Sequence, residues 1–197
     1  ITLVNAKLTD SYIAAFMPFF PFVYPDTGSR YLIKTQILLN SAYFLNIQRM
    51  EASIKNAVEV GHFPPNSNRY STVAHEFGHY LSFLAMMKEN KLDYVLISDL
   101  DSDTFIKSAN AFADGSFSLK MMTEAYENYK SKTNTSMSLL EFRSSISAYA
   151  VAKDNKGEYI YDETIAEAFH DYYLNKNKSK DASKEIVSVL NKYLGGS

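Results

Sequence analysis

The chain has 197 residues, enough for one domain with a substantial core, and 46% of them are hydrophobic. Its 20 basic and 22 acidic residues leave a formal net charge of -2, so the chain lacks the basic stripe that nucleic-acid binding needs, and no nucleic-acid partner is expected. Cysteine is absent, which excludes disulfides and thiolate metal ligands.

The N-terminal third is predicted to begin with a helix. The segment "TDSYIAAFM" is typical of a helix start, with Thr9 or Asp10 as the cap. The apolar run from Tyr12 to Tyr24 overlaps the second half of this segment and is expected to pack into the core or to cover it. Because the run is too short to cross a bilayer and is interrupted by prolines, we expect no membrane-spanning segment.

Three local patterns follow in chain order. Residues 25–30, "PDTGSR", form a turn cluster. Residues 31–40, "YLIKTQILLN", are apolar and free of Pro and Gly, which predicts a strand. Residues 49–61 carry apolar side chains at helical spacing and end in Gly61, which predicts an amphipathic helix.

The remaining two thirds of the chain are predicted to be helical. One helix begins near Ser71 or Thr72 and ends at about Lys88; Asp162 is expected to cap a later one. The other helices are expected at residues 119–130, 138–146 and 183–194, and residues 155–157 form a turn. We therefore predict a helix-rich α+β fold in a single domain, with a sheet and helix part at about 1–88 and a helical part at about 89–197.

The segment "HEFGH" places two of the four histidines, His75 and His79, four residues apart. On a helix they share one face, so both imidazoles can bind one metal ion. Glu76 is rotated by roughly 100°, where it can act as a general base on a water that the ion activates. The alternative is a chance pattern on a helix with two core-edge histidines. Gly78 costs about 1 kcal/mol in a helix interior, so we expect backbone or substrate to approach closely there.

Catalytic zinc usually has three protein ligands. No third histidine follows in the HExxHxxGxxH pattern, so a distant carboxylate is expected. Glu163 and Glu167 are four residues apart, and Glu167 and Asp171 repeat this spacing, which leaves both pairs open. These acids could also form a solvated helix face. His62 and His170 are interpreted as bystanders, with His170 off the face of Glu163 and Glu167.

Three segments together carry a family resemblance: "HEFGH", then "SAYA" at residues 147–150, then "ETIAEAF" at residues 163–169. They resemble the catalytic domain of anthrax lethal factor and the bacterial Pro-Pro endopeptidases, which are gluzincin-type zinc metallopeptidases. The resemblance implies a zincin-like fold and one zinc ion per chain. It favours Glu163 as the third zinc ligand and Glu167 as the hydrogen-bond partner of a ligating histidine.

The resemblance also implies that Tyr149 donates a hydrogen bond to the developing oxyanion. Tyr80, Tyr159 and Tyr161 remain alternatives. Because a peptidase holds its substrate extended, often against an edge strand, residues 34–40 are the candidate substrate strand. The substrate-binding residues predicted on it are Gln36, Ile37, Leu38, Leu39 and Asn40. A buried central strand is the competing interpretation.

The sequence thus predicts a zinc-dependent endopeptidase that acts on a protein or peptide substrate. The alternatives are an inactive zincin-like docking domain and a metal-free helical interaction protein. Because the chain lacks cysteine and starts at Ile1 rather than Met, we expect a mature or trimmed form that is secreted or extracellular.

Overall fold

A three-stranded sheet and eight α-helices make up the part of the chain that this computed structural model describes, residues 1–23, 31–93 and 101–196. The predicted helix-rich α+β class is confirmed, with the sheet strands confined to the first third. The turn predicted at residues 25–30 lies outside the described residues.

The sheet has the order β1-β3-β2, so β3 is its central strand. The strands are β1 Thr2–Ala6, β2 Ala14–Val23 and β3 Tyr31–Asn40. β1 runs parallel to β3, with Leu3 opposite Ile37, whereas β2 is antiparallel to β3, with Ala15 opposite Leu38. Pro18 lies where the register of β2 shifts, between Met17 and Phe20. Proline has no backbone N–H to donate, so a register irregularity is where a strand accommodates it.

The predicted helix at residues 9–17 is wrong, because most of its apolar residues belong to β2. Local signals favoured a helix cap, but pairing with β3 along almost the whole strand outweighs them. The predicted cap Asp10 instead forms an ion pair with Arg49 at 3.1 Å. Thr9 contributes its backbone carbonyl, which accepts a hydrogen bond from Asn40 Nδ2 at 3.0 Å.

The helices predicted in the rest of the chain are found, together with two that were not predicted, at Ser41–Phe44 and Ser102–Ala113. α3 begins at Ser71 and α8 ends before Gly195, whose φ of 84° suits a helix C-cap. The helices are α1 Ser41–Phe44, α2 Ile47–Glu59, α3 Ser71–Glu89, α4 Ser102–Ala113, α5 Ser116–Thr133, α6 Leu139–Ser144, α7 Tyr161–Asn175 and α8 Asp181–Leu194. Short 3-10 turns are found at Tyr149–Val151 and Lys176–Lys178.

The main core lies between α3, α5, α7 and α8. Its fully buried side chains include Phe83, Met121, Ile165 and Leu190. The sheet joins this core through β2, where the ring of Phe19 contacts Phe83 edge-on at a centroid distance of 5.4 Å. The core therefore holds α3 between the sheet and α7. None of the helices in the described ranges is long and apolar enough to cross a membrane.

Candidate metal centre

α3 brings the two histidines of the HExxH motif together. His75 and His79 are four residues apart on one face, and their Nε2 atoms are 3.1 Å from each other. Both side chains are largely buried, with exposed fractions of 8% and 12%. Two imidazoles in a dry environment need polar partners, so their convergence on one point indicates a shared ligand.

α7 supplies Glu163 to the same point. Its Oε2 atom lies 3.3 Å from His75 Nε2 and 3.4 Å from His79 Nε2. Among the described residues this oxygen is buried and accepts no hydrogen bond. Ligands placed tetrahedrally at zinc-like bond lengths of about 2.0–2.1 Å lie about 3.3–3.4 Å from one another. The three atoms therefore fit three corners of such a site, and a metal ion would satisfy the orphaned oxygen.

Each histidine is oriented by a second carboxylate from α7. His75 Nδ1 donates to Glu167 Oε1 at 2.8 Å, and His79 Nδ1 donates to Asp162 Oδ2 at 2.6 Å. A proton held on Nδ1 leaves the Nε2 lone pair free for a metal. Glu167 thus occupies the position that the resemblance implied for it.

Asp162 is a residue that sequence reasoning misassigned. It was predicted to cap α7, but α7 begins at Tyr161 with Ile160 at the cap and no side-chain cap bond. Asp162 instead binds His79, and it accepts a hydrogen bond from Ser82 Oγ at 2.5 Å. The only sequence signal for a role of Asp162 in the site was its position directly before Glu163. Acidic residues are common at the start of any helix, so that position did not distinguish the two roles.

His170 is not the bystander that was predicted. It is fully buried, and its Nδ1 lies 3.4 Å from Glu167 Oε1, on the Glu167 side of α7. Three residues separate it from Glu167, a spacing that also shares a helix face. His75, Glu167 and His170 form a second group that could geometrically hold a metal ion.

The two groups differ in how many of their atoms are already bonded. In the second group, Glu167 accepts from His75 and also from Ser147 Oγ at 2.6 Å. His170 Nε2 lies 3.1 Å from Ser67 Oγ. In the first group, Oε2 of Glu163 accepts no hydrogen bond from the described residues. The first group therefore fits a metal ion better.

The electrostatics of the site favour charged carboxylates. Burial opposes charge on Glu163, but its contacts with His75 and His79 hold the pKa of this carboxyl well below its usual value. Burial likewise opposes charge on Glu167, where His170 and His75 lower the pKa to about 2. Burial disfavours charge on His75 too, but Glu163 and Glu167 raise its pKa to about 9. Without metal, the site is an ion-paired cluster of imidazoles and carboxylates.

Gly78 explains how α3 and α7 come close enough to share a site. A Cβ atom at this position would lie 2.8 Å from Ala166 Cα and 3.1 Å from Phe169 Cβ. Real carbon–carbon contacts are about 3.5–4.0 Å, so only glycine permits this approach. The predicted close approach at Gly78 is a contact with the α7 backbone, one turn from Glu163.

Glu76 and Tyr149 line the open side of the centre. Both face a cavity of about 720 Å³ and a neighbouring cavity of about 250 Å³. The Tyr149 hydroxyl donates to Glu163 Oε1 at 3.3 Å, and its ring contacts the His62 ring at a centroid distance of 4.7 Å with a tilt of 42°. Burial, together with the nearby Glu163 carboxylate, raises the pKa of Tyr149 well above its ordinary value. The phenol therefore keeps its proton and can donate a hydrogen bond.

The alternative tyrosines make other contacts. Tyr159 and Tyr161 line the larger cavity, and their rings lie near the Arg143 guanidinium. Tyr80 packs its ring against Phe16 and Phe77. Of the four candidates, Tyr149 is the one with a hydrogen bond to a carboxylate of the centre.

The prediction that residues 34–40 form an edge strand for substrate is wrong. This segment belongs to β3, which pairs with β1 on one side and β2 on the other. The Ile37 side chain is buried in the core, and the buried Asn40 amide donates to Tyr12 O at 2.7 Å. The competing interpretation, a central strand, is confirmed. The predicted substrate residues Gln36, Ile37, Leu38, Leu39 and Asn40 all lie in this doubly paired stretch.

Comparisons with protein-family models, with curated proteins and with solved structures found no match to this chain.

Proposed function

We propose that this chain is a zinc-dependent endopeptidase of the gluzincin type with a zincin-like fold, in which His75, His79 and Glu163 hold one zinc ion. One observation carries the proposal. The buried Oε2 of Glu163 accepts no hydrogen bond among the described residues, and it lies at tetrahedral-edge distance from both Nε2 atoms. A buried carboxylate oxygen that accepts no hydrogen bond is costly, and a cation between the three atoms offsets that cost.

The donor set supports zinc over other metals. Two imidazole nitrogens and one carboxylate oxygen are the ligands of many catalytic zinc sites, whereas calcium and magnesium prefer oxygen ligands alone. When bound, zinc polarises a carbonyl group and makes water a stronger nucleophile at neutral pH.

Glu76 is the proposed general base. Its side chain follows His75 directly on α3 and faces both cavities. From there it can accept a proton from the attacking water and later transfer that proton to the leaving amine. A docking domain would not need a carboxylate at this position.

Tyr149 is the proposed oxyanion donor. Its protonated hydroxyl lies beside Glu163, at the junction of the two cavities. A phenol aimed at the scissile carbonyl stabilises negative charge only as that charge develops, which lowers the barrier rather than tightening substrate binding.

The substrate strand is reassigned to β2. Within the described sheet β2 is an edge strand, and Ala14, Ala15, Phe16 and Pro18 line the larger cavity next to the histidines. An extended peptide can add to such an edge through backbone hydrogen bonds. We propose that the scissile peptide lies along β2, with its carbonyl facing the metal centre.

The test measures zinc content and peptide cleavage together. We expect one zinc per chain by elemental analysis and cleavage of members of a diverse peptide library. Glu76→Gln should retain the zinc and abolish turnover, whereas Glu89→Gln, at the exposed end of the same helix, should leave both unchanged. A wild-type protein that takes up no zinc refutes the metal site. Bound zinc without cleavage of any peptide favours the docking alternative.

A further inference from the structure

Arg143 is a buried cation at the end of α6. It is 1% exposed and is among the largest fully buried side chains of the described part of the chain. Its Nε donates to Thr164 Oγ1 at 2.9 Å, and its Nη2 donates to the Ala150 carbonyl at 3.2 Å. One guanidinium therefore joins α6 to both the 3-10 turn at Tyr149–Val151 and the first turn of α7.

Arg143 has no ion pair with any Asp or Glu of residues 1–23, 31–93 and 101–196. Its Cζ instead lies 4.3 Å from the ring centroid of Tyr161 and 4.8 Å from that of Tyr159. Burying a charge that has no ionic partner is costly. Stability alone is therefore a weak reason for an arginine here.

Ala150 is the group that Arg143 helps to hold. The Ala150 carbonyl also accepts from Thr164 Oγ1 at 2.6 Å, and its N–H donates to Ser147 Oγ at 3.1 Å. Ser147 in turn donates to Glu167, the partner of His75. Both backbone groups of Ala150 are thus bonded to residues around the metal centre.

The two hydrogen-bond partners of Arg143, Ala150 and Thr164, each follow a residue of the proposed active site. Tyr149 comes directly before Ala150, and Glu163 comes directly before Thr164. The Tyr149 hydroxyl meets Glu163 Oε1 at 3.3 Å. Joining Ala150 to Thr164 therefore sets the separation between Tyr149 and Glu163. The planar fork of a guanidinium can bond both acceptors at once, which an ammonium on a flexible stem does far less well.

We propose that Arg143 is a positioning residue that joins Ala150 to Thr164 and thereby holds the Tyr149 hydroxyl beside Glu163 for catalysis. This role rests on the proposed peptidase function. Arg143 does not contact the substrate in this role. It acts through Tyr149.

The test is a double-mutant cycle between Arg143 and Tyr149. We expect Arg143→Met to lower kcat by about 100-fold, as misplacement of a reacting group by an ångström can do, with little change in KM or in zinc content. Arg143→Lys should recover only part of the loss. In a Tyr149→Phe background the same Arg143→Met change should cost much less. Arg69→Met, which alters an arginine bonded to the exposed Tyr70, is the matched control and should have no effect.

A second variant keeps the test decisive if Arg143→Met fails to fold. Thr164→Val keeps the shape of the side chain but removes the hydroxyl that bonds both Arg143 and Ala150. It should lower kcat with the same dependence on Tyr149. In crystals of metal-free Arg143→Met or Thr164→Val protein, Tyr149 Oη should lie beyond hydrogen-bond distance of Glu163.

The outcomes separate the two proposals. One outcome overturns the positioning role alone. In it the wild-type protein cleaves peptide, but Arg143→Met or Thr164→Val lowers kcat by as much in the Tyr149→Phe background as in the wild-type background. An unmoved Tyr149 hydroxyl in both variant crystals overturns that role as well. A wild-type protein without zinc and without turnover overturns the proposed function and the catalytic part of this inference. The crystal structures still decide whether Arg143 holds Tyr149.

Discussion

Gly78→Ala tests whether the close approach of α3 and α7 builds the metal centre. The new Cβ would lie 2.8 Å from Ala166 Cα and 3.2 Å from the Ala166 carbonyl oxygen. Both are backbone atoms, so no side-chain rotation relieves the overlap. Since carbon–carbon contacts are normally no shorter than about 3.5 Å, the two helices must separate by roughly 0.7 Å.

Two opposing effects set the stability change. Alanine is a better helix former than glycine by about 1 kcal/mol, whereas forcing an extra carbon into a packed interface costs about 1–3 kcal/mol. We therefore expect the free energy of unfolding of metal-free protein to fall by no more than about 2 kcal/mol. The fold should survive this substitution.

Metal affinity should respond more strongly than stability. A metal site tolerates ligand displacements of about 0.2 Å, and a shift of roughly 0.7 Å moves Glu163 away from both histidines by more than that. We expect zinc affinity to fall on the order of 10- to 100-fold, comparable to loss of a hydrogen-bond partner of a ligand.

The assay is competition with a chromogenic zinc chelator, paired with thermal unfolding in EDTA. Gly196→Ala, whose new Cβ has atoms of Asn191 as its three nearest neighbours, is the matched control and should bind zinc like wild type. Wild-type zinc affinity in folded Gly78→Ala protein would refute the reasoning that this contact sets the ligand geometry.

Three further predictions concern the ligands and their charge. Asp162→Ala frees His79 to rotate and should weaken zinc binding about 10- to 100-fold, as measured by chelator competition. The control is Asp181→Ala at an exposed position, which should bind zinc like wild type. Equal zinc affinities of the two variants would exclude the orienting role of Asp162. Zinc at 100 times its dissociation constant should stabilise the fold by about 2.7 kcal/mol, seen as a higher Tm than in EDTA. In chelated protein the raised pKa of His75 stabilises the folded state fully below about pH 6.5, and this contribution disappears as pH rises to about 9. Unfolding titrations should therefore show a loss of up to about 3 kcal/mol across that window, and a flat profile would contradict the pairing of His75 with its carboxylates.

Local periodicity accounts for what could be predicted about the site. Residues four apart on a helix share a face, so the position of His75 beside His79 follows from their spacing alone. The same rule identified Glu163 and Glu167 as a pair. It also applied to Glu167 and Asp171, so spacing could not decide which pair faces α3.

The prediction of β2 as a helix failed for a related reason. Helix caps are local signals, and Thr9 and Asp10 had the right side chains for them. Strand formation depends instead on a partner, and Ala14 to Val23 pair with β3 across the sheet. This pairing also makes β3 central, which removes residues 34–40 from the substrate edge.

The sequence by itself therefore determined the helix-rich class and the helix that carries His75, Glu76 and His79, because these depend on neighbours a few residues apart. Only the tertiary structure decided that Asp162 orients His79, that His170 contacts Glu167, and that β2 borders the cavity. His75 and Glu167 are 92 residues apart in the chain. What brings them together is the packing of α3 against α7 at Gly78, a contact between distant segments that no local pattern encodes.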